Sequence, residues 1–278
     1  MLSGVGGSGG DEPDISPETF ASIGQILQAR SGFTLDGYKD KCVKRRINIR
    51  VRATRSPSPE AYGELLTESA AEQERLLRVL TIHVSHFFRN PTMFEKLSAE
   101  ILPALLKERR EVRLMSVGCA CGEEPYTLAL ILRERFPEAL EAGRVRICGS
   151  DVDVATLEAA GEALYHPDRL AEVSPELLSR WFTREGERLR LSPEIRKRVL
   201  FERTDLNHQK GWERCDLVLC RNVLIYFERN RQETILNGFA DALSPGGYLV
   251  LGKSETLFGT ARKRFRTVCP VERIYRAL

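Results

Sequence analysis

The sequence lacks the features that mark membrane-spanning, secreted and metal-binding chains. Its 278 residues contain no apolar run of the roughly 18 residues that a membrane helix needs. The N-terminal segment MLSGVGGSGGDEPD has neither a basic stretch nor an apolar core, so no secretory signal is predicted and a cytoplasmic location is expected. The seven cysteines include no CxxC pair and the four histidines are scattered. Neither a disulfide framework nor a metal site is therefore predicted.

The sequence also lacks an excess of either charge. Its 42 basic residues stand against 39 acidic ones, which leaves a net charge of +3. Such a balance does not indicate a partner of strong charge, so we expect neither nucleic-acid binding nor membrane insertion. The apolar fraction of 42% is enough for a folded core.

The chain changes character along its length. Residues 1–14 are rich in glycine and then acidic, which predicts a flexible tail. Residues 15–88 carry apolar side chains at helical spacing, and Ser-Pro-Glu sequences at Ser16 and Ser58 are typical helix starts. We therefore predict an N-terminal all-helical domain over 15–88 and a second domain over 89–278.

Short apolar runs alternate with helical segments in the second domain, which predicts a parallel sheet covered on both faces. The runs are VRLMSV, VRICGS, VLFER, DLVLC and YLVLG. RFRTV and ERIYR follow, separated by three residues, which is too few for a crossover helix and predicts an antiparallel hairpin. This α/β layout is similar to the Rossmann-like methyltransferase sheet. Residues of about 162–198 interrupt the alternation and are predicted to form a small inserted β-subdomain.

The turn after the first predicted strand reads SVGCACGEEPYTLAL. Gly118 ends the strand, and a glycine there lets the backbone approach a ligand closely. Glu123 and Glu124 open the next helix, where they would repel the pyrophosphate of NAD or FAD. Two acids suit the cationic S-adenosylmethionine instead. The alternative interpretation is that both acids only stabilise the helix dipole.

Polar residues follow two further strands. Asp151 ends the second strand, where an acid can accept the hydroxyl groups of a ribose, and Asp153 is interpreted as a helix N-cap. Arg221 and Asn222 follow the fourth strand, at the edge where open α/β sheets bind ligands. Tyr226 lies close enough in sequence to reach the same edge, although a packing role is the alternative.

Five motifs in order resemble those of the CheR family of chemotaxis-type protein-glutamate O-methyltransferases. They are SHFFR, GCACGEEPYTLAL, SDVD, CRNVLIYF and LGKSETL. The resemblance covers roughly residues 15–278. It implies transfer of a methyl group from S-adenosylmethionine to glutamates on the helical cytoplasmic domain of a chemoreceptor or receptor-like protein. Nothing in the sequence demands a dimer, so a monomer is expected.

The resemblance also implies site residues. It implies a pocket for S-adenosylmethionine and its product S-adenosylhomocysteine that is lined by His83, Ser85, Arg89, Glu123, Asp151, Asp205, Leu206, Arg221 and Asn222. Gly118, in the turn after the first predicted strand, belongs to the same pocket. Glu123 would bind the methionine end, Asp151 the ribose, and Asp205 with Leu206 the adenine. Arg89 and Tyr226 would lie nearest the transferring methyl, as the catalytic residues. Departures from the family pattern occur at His83, Ser85, Ala120, Cys121, Asp205 and Lys253.

Residues 39–55 carry eight basic side chains and one acidic one. On a helix, one side would present Lys41, Lys44, Arg45, Arg52 and Arg55. A solvated helix face is one interpretation. The resemblance favours the other, a docking face for an acidic helical partner.

The inserted segment bears on how a receptor is held. Some CheR proteins carry a glycine-containing extension there that grips a receptor C-terminal pentapeptide, and REGERLRLSPEIR lacks it. No pentapeptide tether is therefore predicted. Two alternative functions remain open at this point: a non-catalytic docking module that binds the cofactor or its product, and a small-molecule carboxyl methyltransferase on the same fold.

Overall fold

The computed structural model of the protein describes residues 14–81, 85–207 and 214–278. The chain divides into two compact units, Met1–Ile82 and His83–Leu278. The predicted flexible tail, apart from Asp14, lies outside the described residues, and so does His83. No helix among the described residues has the length and apolar character needed to cross a bilayer.

The first unit is helical in its described part. Its helices are α1 (Pro17–Ser31), α2 (Asp40–Thr54), α3 (Pro59–Glu68) and α4 (Ala70–Leu80). The predicted helix starts are confirmed, because the hydroxyls of Ser16 and Ser58 accept hydrogen bonds from backbone N–H groups in the first turns of α1 and α3. Gly32 ends α1 in the left-handed conformation (φ 70°).

A buried charged cluster joins three helices of this unit. The guanidinium of Arg50 on α2 donates to both carboxylate oxygens of Glu72 on α4, at 2.8 and 2.9 Å. The hydroxyl of Tyr62 on α3 donates to the same carboxylate at 3.1 Å. The Glu72 side chain is only 3% exposed, so these contacts replace the water that burial removes.

The second unit contains a mostly parallel sheet. Its described strands are β1 (Val112–Val117), β2 (Val145–Asp151), β6 (Val199–Arg203), β7 (Cys215–Cys220), β8 (Leu243–Leu251), β9 (Phe265–Cys269) and β10 (Ile274–Ala277). Their order is β6-β2-β1-β7-β8-β10-β9, with β10 antiparallel to both neighbours. The predicted α/β fold class and the terminal hairpin are confirmed.

Helices flank this sheet. They are α5 (Pro91–Lys96), α6 (Leu102–Glu108), α7 (Glu123–Arg135), α8 (Pro137–Glu141), α9 (Val154–Glu162), α10 (Pro175–Trp181), α11 (Pro193–Arg196) and α12 (Arg229–Ala242). A π turn at Leu97–Ile101 joins α5 to α6. The central strands are mostly apolar because both sheet faces are covered there: all six residues of β7 are buried.

The inserted segment between β2 and β6 forms a second, three-stranded sheet in the described chain. Its strands are β3 (Leu164–Tyr165), β4 (Phe182–Glu185) and β5 (Arg188–Leu191), in the order β3-β5-β4. The predicted strand pair is confirmed, and β3 is an addition that the sequence did not predict. Phe87 anchors this sheet through edge contacts with Tyr165 and Phe182, at ring distances of 4.9 and 5.5 Å.

Two local expectations differ from the structure. The sequence Ser244-Pro-Gly-Gly247 is typical of a tight turn, but in the structure it belongs to β8, which begins at Leu243 and shifts register opposite β7. The apolar spacing that begins at Ala70 predicts a helix to about residue 83, but α4 ends at Leu80. Both differences concern element ends, where pairing with distant chain segments decides the boundary.

Candidate functional site

Four neighbouring parallel strands bring the predicted site residues to one edge of the sheet. The strands β6, β2, β1 and β7 lie side by side in that order, so their carboxyl ends meet at the same edge. Asp205, Asp151, Gly118 and Arg221 follow or end these four strands. The chain runs from β1 to β2 on one side and returns to β7 on the other, which is the kind of switch point where open α/β sheets bind ligands.

Glycine is required at the first turn of this edge. Gly118 has φ 67°, and a Cβ there would lie 2.4 Å from Cγ2 of Val223. Gly122 has φ 86°, and its Cβ would lie 2.9 Å from Cζ of Phe201. Both distances are below van der Waals contact, so a side chain at either position would overlap with a neighbouring side chain.

Asp151 organises the turn from the end of β2. It is 8% exposed, and one carboxylate oxygen accepts from the Ala120 N–H at 3.0 Å. The other accepts from the N–H groups of Val152 and Asp153, at 2.8 and 3.2 Å. Both carboxylate oxygens therefore accept from the backbone, which fixes the carboxylate of Asp151 at the end of β2. Asp153 is the N-cap of α9, as predicted.

Glu123 begins α7 and is 1% exposed. Its Oε1 lies 3.4 Å from Nη1 of Arg169, a residue in the 3₁₀ turn Pro167–Leu170 of the inserted segment. The same guanidinium donates to the carbonyl of Ser85. Nη1 of Arg169 therefore contacts both Ser85 and Glu123, two predicted cofactor residues.

Glu124 and Arg221 form a buried pair beside Glu123. Nη1 of Arg221 donates to Oε2 of Glu124 at 2.9 Å, and the two side chains are 3% and 13% exposed. Nη2 of Arg221 donates to the carbonyl of Arg89 at 2.7 Å and to Oδ1 of Asn90 at 2.5 Å. These contacts make Arg221 the anchor of the turn that carries Arg89, in addition to its position at the strand end.

The turn at Arg89 has an unusual backbone. Phe88 and Asn90, on either side of it, have φ of 52° and 65°. Residues other than glycine adopt such positive φ values at a cost in free energy. Besides Arg221, the hydroxyl of Thr127 on α7 holds this turn, by accepting from the Phe88 N–H at 3.1 Å. The structure thus fixes the backbone of Arg89 from two sides and leaves its side chain half-buried.

The remaining predicted residues lie on neighbouring segments. Asn222 has φ 60°, and Tyr226 ends a 3₁₀ turn, Leu224–Tyr226; both are half-buried. Leu206 is 7% exposed, and Oδ1 of Asp205 accepts from the Asn207 N–H at 2.8 Å. Asp205 follows Thr204, whose N–H donates to the Asp151 carbonyl at 3.0 Å.

Burial and nearby charge shift the pKa of several described side chains at this edge. Burial, reinforced by the charge of Arg89, lowers the pKa of His86, so its imidazole is neutral at neutral pH. Burial, reinforced by Glu123, raises the pKa of Cys121 to about 11. Burial also raises the pKa of Cys119 well above its ordinary value, with Asp151 adding to the effect. The thiols are therefore protonated and act as small apolar walls.

The donor set fits S-adenosylmethionine. Glu123 and Asp151 are buried carboxylates at the ends of α7 and β2, where a sulfonium and an ammonium group are stabilised and a ribose finds acceptors. Gly118 and Gly122 let the turn pack closely against Val223 and Phe201 at this edge. The thiols of Cys119 and Cys121, which carry no charge, do not oppose this arrangement.

The predicted docking residues lie in the other unit. Lys41, Arg45, Arg52 and Arg55 are exposed on or just after α2. Lys44 differs, because its ammonium donates to the Ile15 carbonyl at 2.6 Å and lies 3.8 Å from the Asp14 carboxylate. Lys44 therefore holds the start of α1, while the other four side chains form the exposed basic stripe.

Two residues of the site edge were missed from the sequence. Arg169 gave no signal, because its contacts with Ser85 and Glu123 depend on how the inserted segment folds back. Glu255 lies in LGKSETL, which entered the sequence analysis only through its resemblance to a family motif. The structure buries it at 5% exposure against the loop after β7.

Family models match both parts of the chain. The model described as "CheR methyltransferase, SAM binding domain" matches residues 83–272. The model described as "CheR methyltransferase, all-alpha domain" matches residues 18–81. The first match alone covers more than half of the chain.

Individual relatives agree with the family models. The chain is 30% identical over 253 residues to the chemotaxis protein methyltransferase of Listeria innocua, covering 90% of this chain and 94% of that protein. It is 29% identical over 264 residues to chemotaxis protein methyltransferase 2 of Vibrio cholerae, covering 91% of each. It is also 34% identical over 277 residues to an uncharacterized 104.1 kDa protein of Rhodobacter capsulatus. That match covers 99% of this chain but only 29% of the relative.

Proposed function

The chain belongs to the CheR methyltransferase family and is an S-adenosylmethionine-dependent methyltransferase; from this membership we propose that it methylates glutamate side chains of a chemoreceptor-type protein. The relatives named as chemotaxis protein methyltransferases support this substrate class. The observation that carries the proposal is the pair of buried carboxylates, Glu123 and Asp151, at the ends of two adjoining strand–helix units. Acids in that position match a cationic methyl donor.

The cofactor supplies a methyl group on a positively charged sulfur. A glutamate side chain has an ordinary pKa of about 4.3 and is ionised at neutral pH, so its oxygen can attack without a general base. The new oxygen–carbon bond forms as the carbon–sulfur bond breaks, and the electron pair of that bond passes to sulfur. A carboxylate and a sulfonium become a neutral ester and a neutral thioether, so exclusion of water favours the reaction.

We assign roles to the chain's own residues on this basis. Arg89, held by its backbone from two sides, orients the incoming carboxylate through one guanidinium contact. Tyr226 donates a hydrogen bond or shapes the wall beside it. Glu123 binds the ammonium of the methionine end and Asp151 the ribose hydroxyls. Asp205 with Leu206 flanks the adenine, and Asn222 completes the pocket.

The exposed basic stripe of α2 supports docking of an acidic helical partner. Four like charges on and after one helix attract a surface that carries glutamates. The hairpin of the inserted sheet supports independence from a pentapeptide tether, because only Gly186 and Glu187 separate β4 from β5. Because the proposed substrate is the cytoplasmic helices of a receptor, we expect the protein to act in the cytoplasm. We expect it to act there as a monomer.

A titration and a transfer assay test this function together. Calorimetry with S-adenosylhomocysteine should give binding in the micromolar range that Asp151→Ala abolishes and the exposed control Asp241→Ala retains. Radioactive methyl groups should then reach a receptor cytoplasmic fragment as base-labile esters, and Arg89→Ala should lower turnover even at saturating cofactor. Binding without transfer would instead support a docking module. Transfer to small carboxylic acids without any protein acceptor would support a small-molecule methyltransferase.

A further inference from the structure

The loop after β7 is closed by one buried carboxylate. Glu255 is 5% exposed, and its two oxygens accept hydrogen bonds from four backbone N–H groups. The donors are Asn222 (3.0 Å), Val223 (2.9 Å), Leu224 (2.8 Å) and Gly252 (2.6 Å). A single side chain therefore ties the loop after β7 to the end of β8.

The backbone of this loop is arranged to hold an anion. Three successive N–H groups, from residues 222 to 224, point to one place, and they open the 3₁₀ turn Leu224–Tyr226. Such a concave row of N–H groups binds negative charge, and the first N–H groups of a helical turn need acceptors. Here the chain supplies the anion itself. Hydrogen bonds to an ionised acceptor are about twice as strong as neutral ones, so the loop conformation is held firmly.

Gly252 gives a second, independent observation at the same place. A Cβ on Gly252 would lie 2.7 Å from Oε2 of Glu255 and 2.9 Å from the backbone nitrogen of Asn222. The missing side chain at 252 is therefore what allows the carboxylate and the loop backbone to meet. The contact depends on two sequence positions, and each can be altered separately.

We propose that Glu255 is a positioning residue for methyl transfer, because its carboxylate fixes the loop that presents Asn222 and Tyr226. It sets cofactor affinity and turnover through that loop, without contact to cofactor or acceptor. The inference rests on the proposed function, since the roles of Asn222 and Tyr226 belong to it.

The variants Glu255→Gln and Gly252→Ala damage the contact from its two sides. In Glu255→Gln, an NH₂ group replaces one oxygen and faces two backbone donors, so half of the contact becomes repulsive. Gly252→Ala keeps the charge and pushes the carboxylate away from the Asn222 N–H. Glu255→Asp keeps the charge on a shorter side chain and should be less damaging than Gln. Leu140→Ala, a core truncation on α8 at a side chain 1% exposed, is the control for general loss of stability.

Three measurements on the full chain decide the matter. In Glu255→Gln and Gly252→Ala, hydrogen exchange of the amides at 222–224, measured without ligand, should become faster. The Kd for S-adenosylhomocysteine should rise, and kcat for methyl transfer should fall, each by about 10- to 100-fold. Leu140→Ala should lower the Tm and leave all three values within about twofold.

The outcomes separate this inference from the function beneath it. The role of Glu255 alone would be overturned if hydrogen exchange at 222–224 did not change. It would also be overturned if affinity and turnover fell no more than in Leu140→Ala at equal Tm. A wild-type protein that bound no S-adenosylhomocysteine would refute the proposed function, and the positioning role would fall with it.

Discussion

The contacts of Arg221 in the structure differ from the contact that its position in the sequence predicts. Its position after β7 predicts a ligand contact, yet its guanidinium bonds to Glu124, to the Arg89 carbonyl and to Asn90. It also lies over the ring of Phe94, at 5.6 Å. The side chain thus links its own loop to two other segments, residues 89–94 and α7, and none of those partners is visible from a local motif.

The buried Arg221–Glu124 pair predicts that removing Arg221 alone destabilises the protein more than replacing both residues. Arg221→Met leaves the Glu124 carboxylate buried without its cation, and we expect the free energy of unfolding to fall by about 3–5 kcal/mol. The double variant Arg221→Met/Glu124→Leu should recover part of that loss, because no isolated charge remains. Urea unfolding of the four proteins of this cycle measures the coupling. Simple additivity of the two single losses would show that the pair does not act as a unit.

The raised pKa of Cys121 predicts low reactivity in the folded protein. Because burial and the charge of Glu123 raise that pKa to about 11, almost no thiolate exists at pH 7.5. Iodoacetamide should leave Cys121 unmodified in the native protein and label it after unfolding in urea. Rapid native labelling, located by peptide mass spectrometry, would contradict the raised pKa of this half-buried thiol.

At the scale of elements, the sequence predicts what is local. The N-caps at Ser16 and Ser58, the apolar strands and the final hairpin follow from short patterns, and the structure confirms them. The two-residue strand β3 and the register shift at the start of β8 depend on pairing with distant segments, which no local pattern encodes. The same distinction holds for the site, where Asp151 is predicted from its strand end but Arg169 is found only in the fold.

The three-helix cluster around Glu72 predicts an acid-sensitive helical unit. Burial raises the pKa of Glu72, but the hydrogen bonds from Arg50 and Tyr62 outweigh it, so the net pKa is lowered. A lowered pKa stabilises the fold above the ordinary value of about 4.3, and this stabilisation is lost as the pH falls through the folded pKa. The protection factors for hydrogen exchange in α2, α3 and α4, which are corrected for the slower intrinsic exchange at low pH, should therefore fall below about pH 4.5.

Substitution at position 72 checks the same cluster at neutral pH. Glu72→Gln should destabilise the helical unit by about 1.5–3 kcal/mol, because it removes a charge-assisted hydrogen bond to Arg50. Glu74→Gln on the same helix is the matched control, since its exposed carboxylate lies 4.0 Å from Arg78. Equal effects of the two variants on exchange in α2–α4 would contradict the role of the buried cluster.

On the scale of the whole molecule, the proposed tasks are divided between the two units. The cofactor edge belongs entirely to His83–Leu278, and the exposed basic stripe belongs to Met1–Ile82. Recognition of an acceptor and chemistry on it should therefore respond to different substitutions.

Charge reversal of the stripe tests this division. Lys41→Glu/Arg45→Glu/Arg52→Glu should raise the KM for a receptor fragment about tenfold or more at low salt, and added salt should shrink the difference. The affinity for S-adenosylhomocysteine should not change. Arg262→Glu/Lys263→Glu/Arg266→Glu, which reverses three exposed charges elsewhere, is the control of equal charge. A similar KM in both triple variants would show that total charge, not the stripe, governs the encounter.

The close approach of Gly252 to Glu255 makes two positions interdependent in any mutational path. A larger residue at 252 meets both the acid at 255 and the backbone nitrogen of Asn222, so it fits only when the acid is shortened and the loop shifts. Shortening the acid first releases the loop that it holds. Whichever of the two positions changes first, the single variant is impaired. Selection of one substitution at a time therefore keeps Gly252 and Glu255. A library that randomises the two positions together avoids this barrier and would reveal which other pairs support the same loop.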